Sequence, residues 1–254
     1  MSEFQRPVAV VTGAARRIGK SIALALARNG WNVGVHYGRS REEADAVVAE
    51  IETADGRAAA IPADLTRESE VLTVIPRARE ALGPVTCLVN NASVFEHDDS
   101  RTATRESWDR HLECNLRAPL VLIQDFAAQL PDDAEGNIIN LLDERVWNLT
   151  PHFLSYTVTK TALWTLTRTL ALDLAPRIRV NGIGPGPTLP SARQTDAQFE
   201  AQYRATPLRR PTDPEEIAAA VLFLLSAPAV TGQMIALDGG QHLGWAFRRG
   251  AAGE

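Results

Sequence analysis

Sulfur is scarce in this chain: two cysteines and two methionines among 254 residues. Cys87 and Cys114 lie in apolar stretches without ligand-like or redox spacing, so both read as buried free thiols. The five histidines, His36, His97, His111, His152 and His242, stand far apart with no three- or four-residue pairing, which leaves no metal-ligating set. No apolar run approaches the length of a membrane span, and the first residues lack a signal-peptide core. The net charge of −5 argues against nonspecific binding to nucleic acid or acidic membranes. There are no repeats, low-complexity tracts or linkers. The expectation is a soluble, cytoplasmic, single domain over 1–254 that acts on a small molecule.

What is present is an ordinary apolar share of 45 %, arranged as short β-rich runs alternating with helical patterns. Strands are predicted over 7–12, 32–37, 57–63, 85–90, 136–142, 177–183 and 233–237. Helices are predicted over 42–54, 68–82, 105–130 (with a kink at Pro119), 153–174 and 214–226, besides one that follows the first strand. Such alternation implies an α/β fold: a single Rossmann-like, doubly wound parallel sheet with helices on both faces. The segment 188–211 carries little pattern and reads as a substrate-loop insertion. The tail over 245–254 reads as loose.

Two features carry chemistry. Gly13-Ala-Ala-Arg-Arg-Ile-Gly19 joins the first strand to a helix, where exposed N–H groups and the helix dipole favour an anion. It is not the G-x-G-x-x-G pattern. A second βαβ strand then ends in His36-Tyr37-Gly38-Arg39-Ser40, with no acid before Glu42. An NAD site places Asp or Glu there; Arg39 and Ser40, with Arg17, suit a 2′-phosphate instead, which points to NADP. The other feature is Tyr156-Thr-Val-Thr-Lys160 on the 153–174 helix, where Ala162, Leu163, Leu166, Leu170 and Leu174 mark the apolar face. Residues four apart share a face, so the ammonium is expected to lower the phenol's pKa and fit it for acid/base work.

Taken together, Thr12-Gly13…Gly19, Asp64-Leu65, Asn90-Asn91-Ala92, Asn115, Tyr156…Lys160 and Pro185-Gly186 resemble the short-chain dehydrogenase/reductase family over nearly the whole chain. The resemblance implies hydride transfer from a nicotinamide to a carbonyl or imine. It makes Tyr156 the proton donor, Lys160 its modulator and the holder of the nicotinamide ribose, and Asn115 the holder of a proton-supplying water chain. It places Gly13, Ile18, Gly19, His36, Tyr37, Asp64, Leu65, Asn91, Ala92, Pro185 and Gly186 against the cofactor, and it implies a homotetramer, with a dimer next. Arg248 and Arg249 could reach a neighbouring subunit.

Two departures from the family pattern are informative. Arg17 replaces the middle glycine of the turn, and Asp143 replaces the serine that precedes the tyrosine. With His36-Tyr37…Arg39-Ser40 and Ser93-Val94-Phe95, they look like the pteridine reductase branch. There Arg17 would contact cofactor phosphate and substrate, Phe95 would stack a pterin on the nicotinamide, and Ser93 would be a polar contact. A carboxylate beside a carbonyl oxygen repels the charge that develops on it, so Asp143 fits a substrate that presents N–H donors or a ring nitrogen needing a proton. The alternatives are a capping role for Asp143 toward Arg145, a packing role for Phe95, a reductase of 3-oxoacyl thioesters, sugars or other ketones, and a non-catalytic NADPH-binding sensor or scaffold.

Overall fold

The computed structural model describes residues 6–191 and 193–244; the tail with Arg248 and Arg249 lies outside them. From one side of the sheet to the other the strand order is β3-β2-β1-β4-β5-β6-β7, all parallel. The chain winds outward through β1 (Val8–Val11), α1 (Arg17–Arg28), β2 (Asn32–Tyr37), α2 (Arg41–Thr53) and β3 (Ala58–Pro62). It returns through α3 (Glu68–Val71) and α4 (Val74–Leu82) to β4 (Val85–Asn90), on the other side of β1. Then come α5 (Arg105–Leu112), a π-helical turn (Glu113–Arg117), α6 (Ala118–Gln129) and β5 (Gly136–Leu141). α7 (Leu154–Asp173), β6 (Ile178–Pro185), α8 (Asp196–Arg204), α9 (Pro214–Ser226) and β7 (Met234–Leu237) complete it.

Both faces of the central strands are covered, which is why they read as unbroken apolar runs. In β1, Ala9 and Val11 pack on the α1, α2 and α9 side with Ile22, Leu26, Val35 and Val221. Val8 and Val10 pack on the other, with Ile75, Leu88, Leu122 and Phe126 from α4, β4 and α6. Burying one such aliphatic side chain is worth about 1.5–3 kcal/mol. The reversal of winding at β1 and β4 opens a crevice beyond their carboxyl ends, where open sheets of this kind bind ligands.

Two helical predictions are corrected, and one helix stands where none was predicted. The 68–82 helix is two pieces: Pro76 has no N–H to bond back into α3, and a first-turn position in α4 costs it nothing. In 105–130 the distortion is the π turn around Asn115, while Pro119 sits without strain at the start of α6. Within 188–211 stands α8, held at its start by a reciprocal Thr195–Gln198 capping box and burying none of its residues. No helix among the described residues is long and apolar enough to cross a membrane.

Candidate active site

The first strand delivers the chain into a tight turn. Gly13 has φ +63, and a Cβ on Gly19 would stand 2.2 Å from the Gly13 carbonyl oxygen, so the helix can approach the turn only with glycine there. Asn91 secures the arrangement: its Nδ2 donates to Thr12 O at 2.8 Å, while Thr12 Oγ1 accepts from the N–H groups of Asn91 and Ala92. The turn faces a cleft of about 380 Å³ lined by Gly13, Arg16, Tyr37, Arg39, Ser40, Asp64, Leu65 and Ala92 among others. Arginine and serine hydroxyl at its far end, with no carboxylate closing β2, fit the 2′-phosphate of a dinucleotide. A smaller cavity of about 180 Å³ continues past Ile18, Asn91, Ser93, Lys160, Pro185 and Gly186 to Tyr156 and Asp143.

Two of the expected cofactor contacts bond within the chain. His36 lines the cleft but is buried, and both its ring nitrogens are spent: Nδ1 lies 3.0 Å from the Gly13 N–H and Nε2 3.1 Å from Ala63 O. The first nitrogen must accept and the second donate, so the ring is neutral. Burial, opposed by the bond to Ala63, pushes its pKa down to about 4. His36 pins the turn. Arg17, with φ +55, turns away from the cleft and donates to the carbonyls of Leu189 and Pro190 at 3.2 and 3.0 Å. Arg16 lines the cleft in its place.

α7 brings the reacting groups together beneath the ends of β5 and β6. Tyr156 Oη donates to Asp143 Oδ2 at 2.8 Å. Lys160 is buried, and its Nζ donates to Leu141 O at 2.7 Å, 5.6 Å from the centre of the phenol ring. Burial, partly offset by Asp143, lowers its pKa to about 8. The expected acidification of Tyr156 is not present. Burial first, then the Asp143 charge, raise the phenol well above its ordinary value of 10, with Arg145 pulling the other way. Tyr156 is thus a firmly held proton store.

Asp143 also performs the capping role weighed for it. Oδ1 accepts from Arg145 N at 2.9 Å, starting a short 3₁₀ turn, Glu144–Val146, and Arg145 Nη1 lies 3.0 Å from each carboxylate oxygen. Asn115 is engaged within the chain. Its Oδ1 accepts from Val94 N at 2.8 Å and Ser93 Oγ at 3.2 Å, and its Nδ2 donates to Val94 O and Thr159 Oγ1 at 2.9 and 3.2 Å. These bonds splint the loop that carries Phe95.

Phe95 is 38 % exposed, stacked on Phe153 at 4.3 Å and 8°, and edge-on to Tyr156 at 4.7 Å. These rings, with His97, Asp143, Glu144, Arg145 and Gln241, form one wall of a cavity of about 820 Å³. Gln194, Gln198 and Gln202, in and just before α8, form the opposite wall. Phe153, Glu144, Arg16 and the glutamines had no signal in the sequence. Arg145 had a faint one, two residues beyond the unusual aspartate. Among the described residues no group of three or more His, Cys, Asp or Glu side chains is placed to hold a metal ion.

A family profile described as enoyl-(acyl carrier protein) reductase matches residues 13–242. The chain belongs to the short-chain dehydrogenase/reductase family. Its structure is similar to that of FolM alternative dihydrofolate reductase 1 from Brucella canis complexed with NADP. The two are 45 % identical, covering 97 % of this chain and 98 % of that one, with a TM-score of 0.93. For the Brucella suis FolM complex with NADP the identity is 47 %, the coverage 94 % and 96 %, and the TM-score 0.91. The 3-oxoacyl-[acyl-carrier-protein] reductase FabG of Staphylococcus epidermidis is 35 % identical over 92 % of this chain and 98 % of its own length.

Proposed function

We propose that the chain is an NADPH-dependent reductase of a dihydropterin ring. The observation that carries this reading is Asp143: a carboxylate, hydrogen-bonded to the Tyr156 hydroxyl at 2.8 Å, stands where a ketone reductase would use a neutral hydroxyl. The similarity to FolM structures complexed with NADP supports both the cofactor and the substrate class. Arg16, Arg39 and Ser40, which line one cleft, would hold the adenosine phosphate, and Asn91 and Lys160, which line the smaller cavity, the nicotinamide half. When bound, NADPH supplies the hydride.

The protein's own groups do the rest. Asp143 accepts N–H donors of the substrate ring and sets its orientation. Phe95 offers the ring a flat apolar face. Tyr156 gives its proton to the heteroatom that gains negative charge when its carbon neighbour takes the hydride, and Lys160, one helical turn on, faces the phenolate left behind. The phenol's raised pKa makes this transfer unfavourable until charge has developed on the substrate, so proton delivery follows reduction.

The similarity to FabG favours a second reading, reduction of a 3-oxoacyl thioester. NADPH oxidation measured with dihydrobiopterin, dihydrofolate and a panel of ketones separates the two. Tyr156→Phe is expected to lower turnover by about 10²–10⁴-fold in either case. Asp143→Ser is expected to depress dihydropterin turnover and to raise that of ketones. Unchanged dihydropterin turnover in Asp143→Ser would overturn the pterin reading.

A further inference from the structure

Arg145 is a charged group of the cavity wall to which the chemistry above gives no task. Its Nη1 lies 3.0 Å from both Asp143 oxygens, and its main-chain N–H is 2.9 Å from Oδ1. The Tyr156 hydroxyl adds a contact to Oδ2 at 2.8 Å. A carboxylate offers about four lone-pair sites, so Asp143 has none to spare. The same guanidinium lies 5.6 Å from the Phe95 centroid and 5.5 Å from that of Phe153, within cation–π reach of each. Only 15 % of the Arg145 side chain is exposed. Arg145 is therefore fixed by the carboxylate, by its own backbone and by two rings, whereas Tyr156 holds Asp143 through one exchangeable O–H bond.

We propose that Arg145 is a positioning residue acting through Asp143: by filling the carboxylate's other acceptor sites, it makes the arrival of a substrate N–H and the departure of the Tyr156 hydroxyl a single event. Recognition of the ring thereby frees the proton that the ring will need. A carbonyl compound without N–H groups cannot make the exchange and leaves the phenol tied to Asp143. Without Arg145 the carboxylate has room for both donors, so the substrate still docks while the phenol stays bound and turnover falls. This inference rests on the pterin reading for the nature of the incoming donor.

A double-mutant cycle tests it, using steady-state kinetics of NADPH oxidation with dihydrobiopterin for wild type, Arg145→Gln, Asp143→Ser and the double variant. Arg145→Gln is expected to lower kcat by roughly tenfold or more while KM moves by less than about threefold, a split that marks loss of an interaction used after binding. Arg145→Lys, which keeps the charge, restores part of that loss. In the Asp143→Ser background, Arg145→Gln costs less than about twofold, because the two residues then share no interaction. An equal loss in both backgrounds, or a raised KM with kcat intact, would overturn the proposal. If Arg145→Gln fails to fold, judged by its melting curve and NADPH affinity, Arg145→Lys serves as the reporter in the same cycle. If wild type reduces a ketone and no dihydropterin, the functional reading has failed and the exchange with it, because a ketone brings no N–H donor; failure of the cycle alone, with dihydropterin still reduced, overturns the proposal and leaves the reading intact.

Discussion

Glu144 shows how far one residue's chemistry can depart from that of an ordinary carboxyl group. Its side chain is buried, Oε1 accepts from Gln241 Nε2 at 3.1 Å, and Oε2 has no partner among the described residues. Burial first, then the Asp143 charge, push its pKa up to about 7, with Arg145 opposing and Asp238 adding to the rise. A folded-state pKa above the unfolded value means that the proton-bound form supports the fold. That contribution is complete below about pH 4.5 and is lost as pH rises through about 7. Glu144→Gln keeps the shape without the charge. Its stability relative to wild type is expected to improve by about 2 kcal/mol between about pH 5 and about pH 8, read from urea unfolding at each pH. An unchanged difference would show that the carboxyl is not held protonated. His36 has the opposite sign: its contribution is present above about 6.5 and fades as pH falls through about 4.

At the scale of elements, the catalytic helix α7 borrows its cap from a distant loop. Phe153, just before it, is left-handed at φ +59 and supplies no side-chain cap. Asp98 does so instead: its carbonyl accepts from Leu154 N at 3.2 Å, Oδ1 accepts from Ser155 N at 3.0 Å, and Oδ2 accepts from Ser155 Oγ. A buried negative charge at a helix N-terminus is favourable, and here it also ties the Phe95 loop to the helix carrying Tyr156. Asp98→Ala is expected to cost about 1–3 kcal/mol, seen as a lower Tm, and to raise KM for substrate as Phe95 loosens. Asp98→Asn, which keeps one acceptor, should lose less. Elements with a strong apolar run and clear stops were legible in the sequence: β2, β4 and α9 fall where predicted. α8 was not, because it buries nothing and so leaves no periodic apolar stripe. The Tyr156–Lys160–Asp143 constellation was legible because two of its members are a helical turn apart. The acidity of Tyr156 was misjudged because a motif records the cation four residues on, and neither the burial nor the carboxylate that outweighs it. Phe153 and Arg16 acquire their places only once the loops are closed in space.

For the molecule as a whole, the outer surface of α7 presents Val158, 41 % exposed, and Leu172, 83 % exposed, about four helical turns apart on one stripe. The proposed homotetramer would cover this stripe between copies. Sedimentation velocity is expected to show a species of four chains, and Leu172→Asp to shift it to a smaller one; a wild-type monomer would refute the assembly. Arg17 joins regions that the fold otherwise keeps apart. Its backbone belongs to the floor on which a nucleotide's phosphates would rest, and its guanidinium grips the hem of the canopy above the other compartment. Two hydrogen bonds therefore tie floor to canopy, so that a displacement of either is passed to the other.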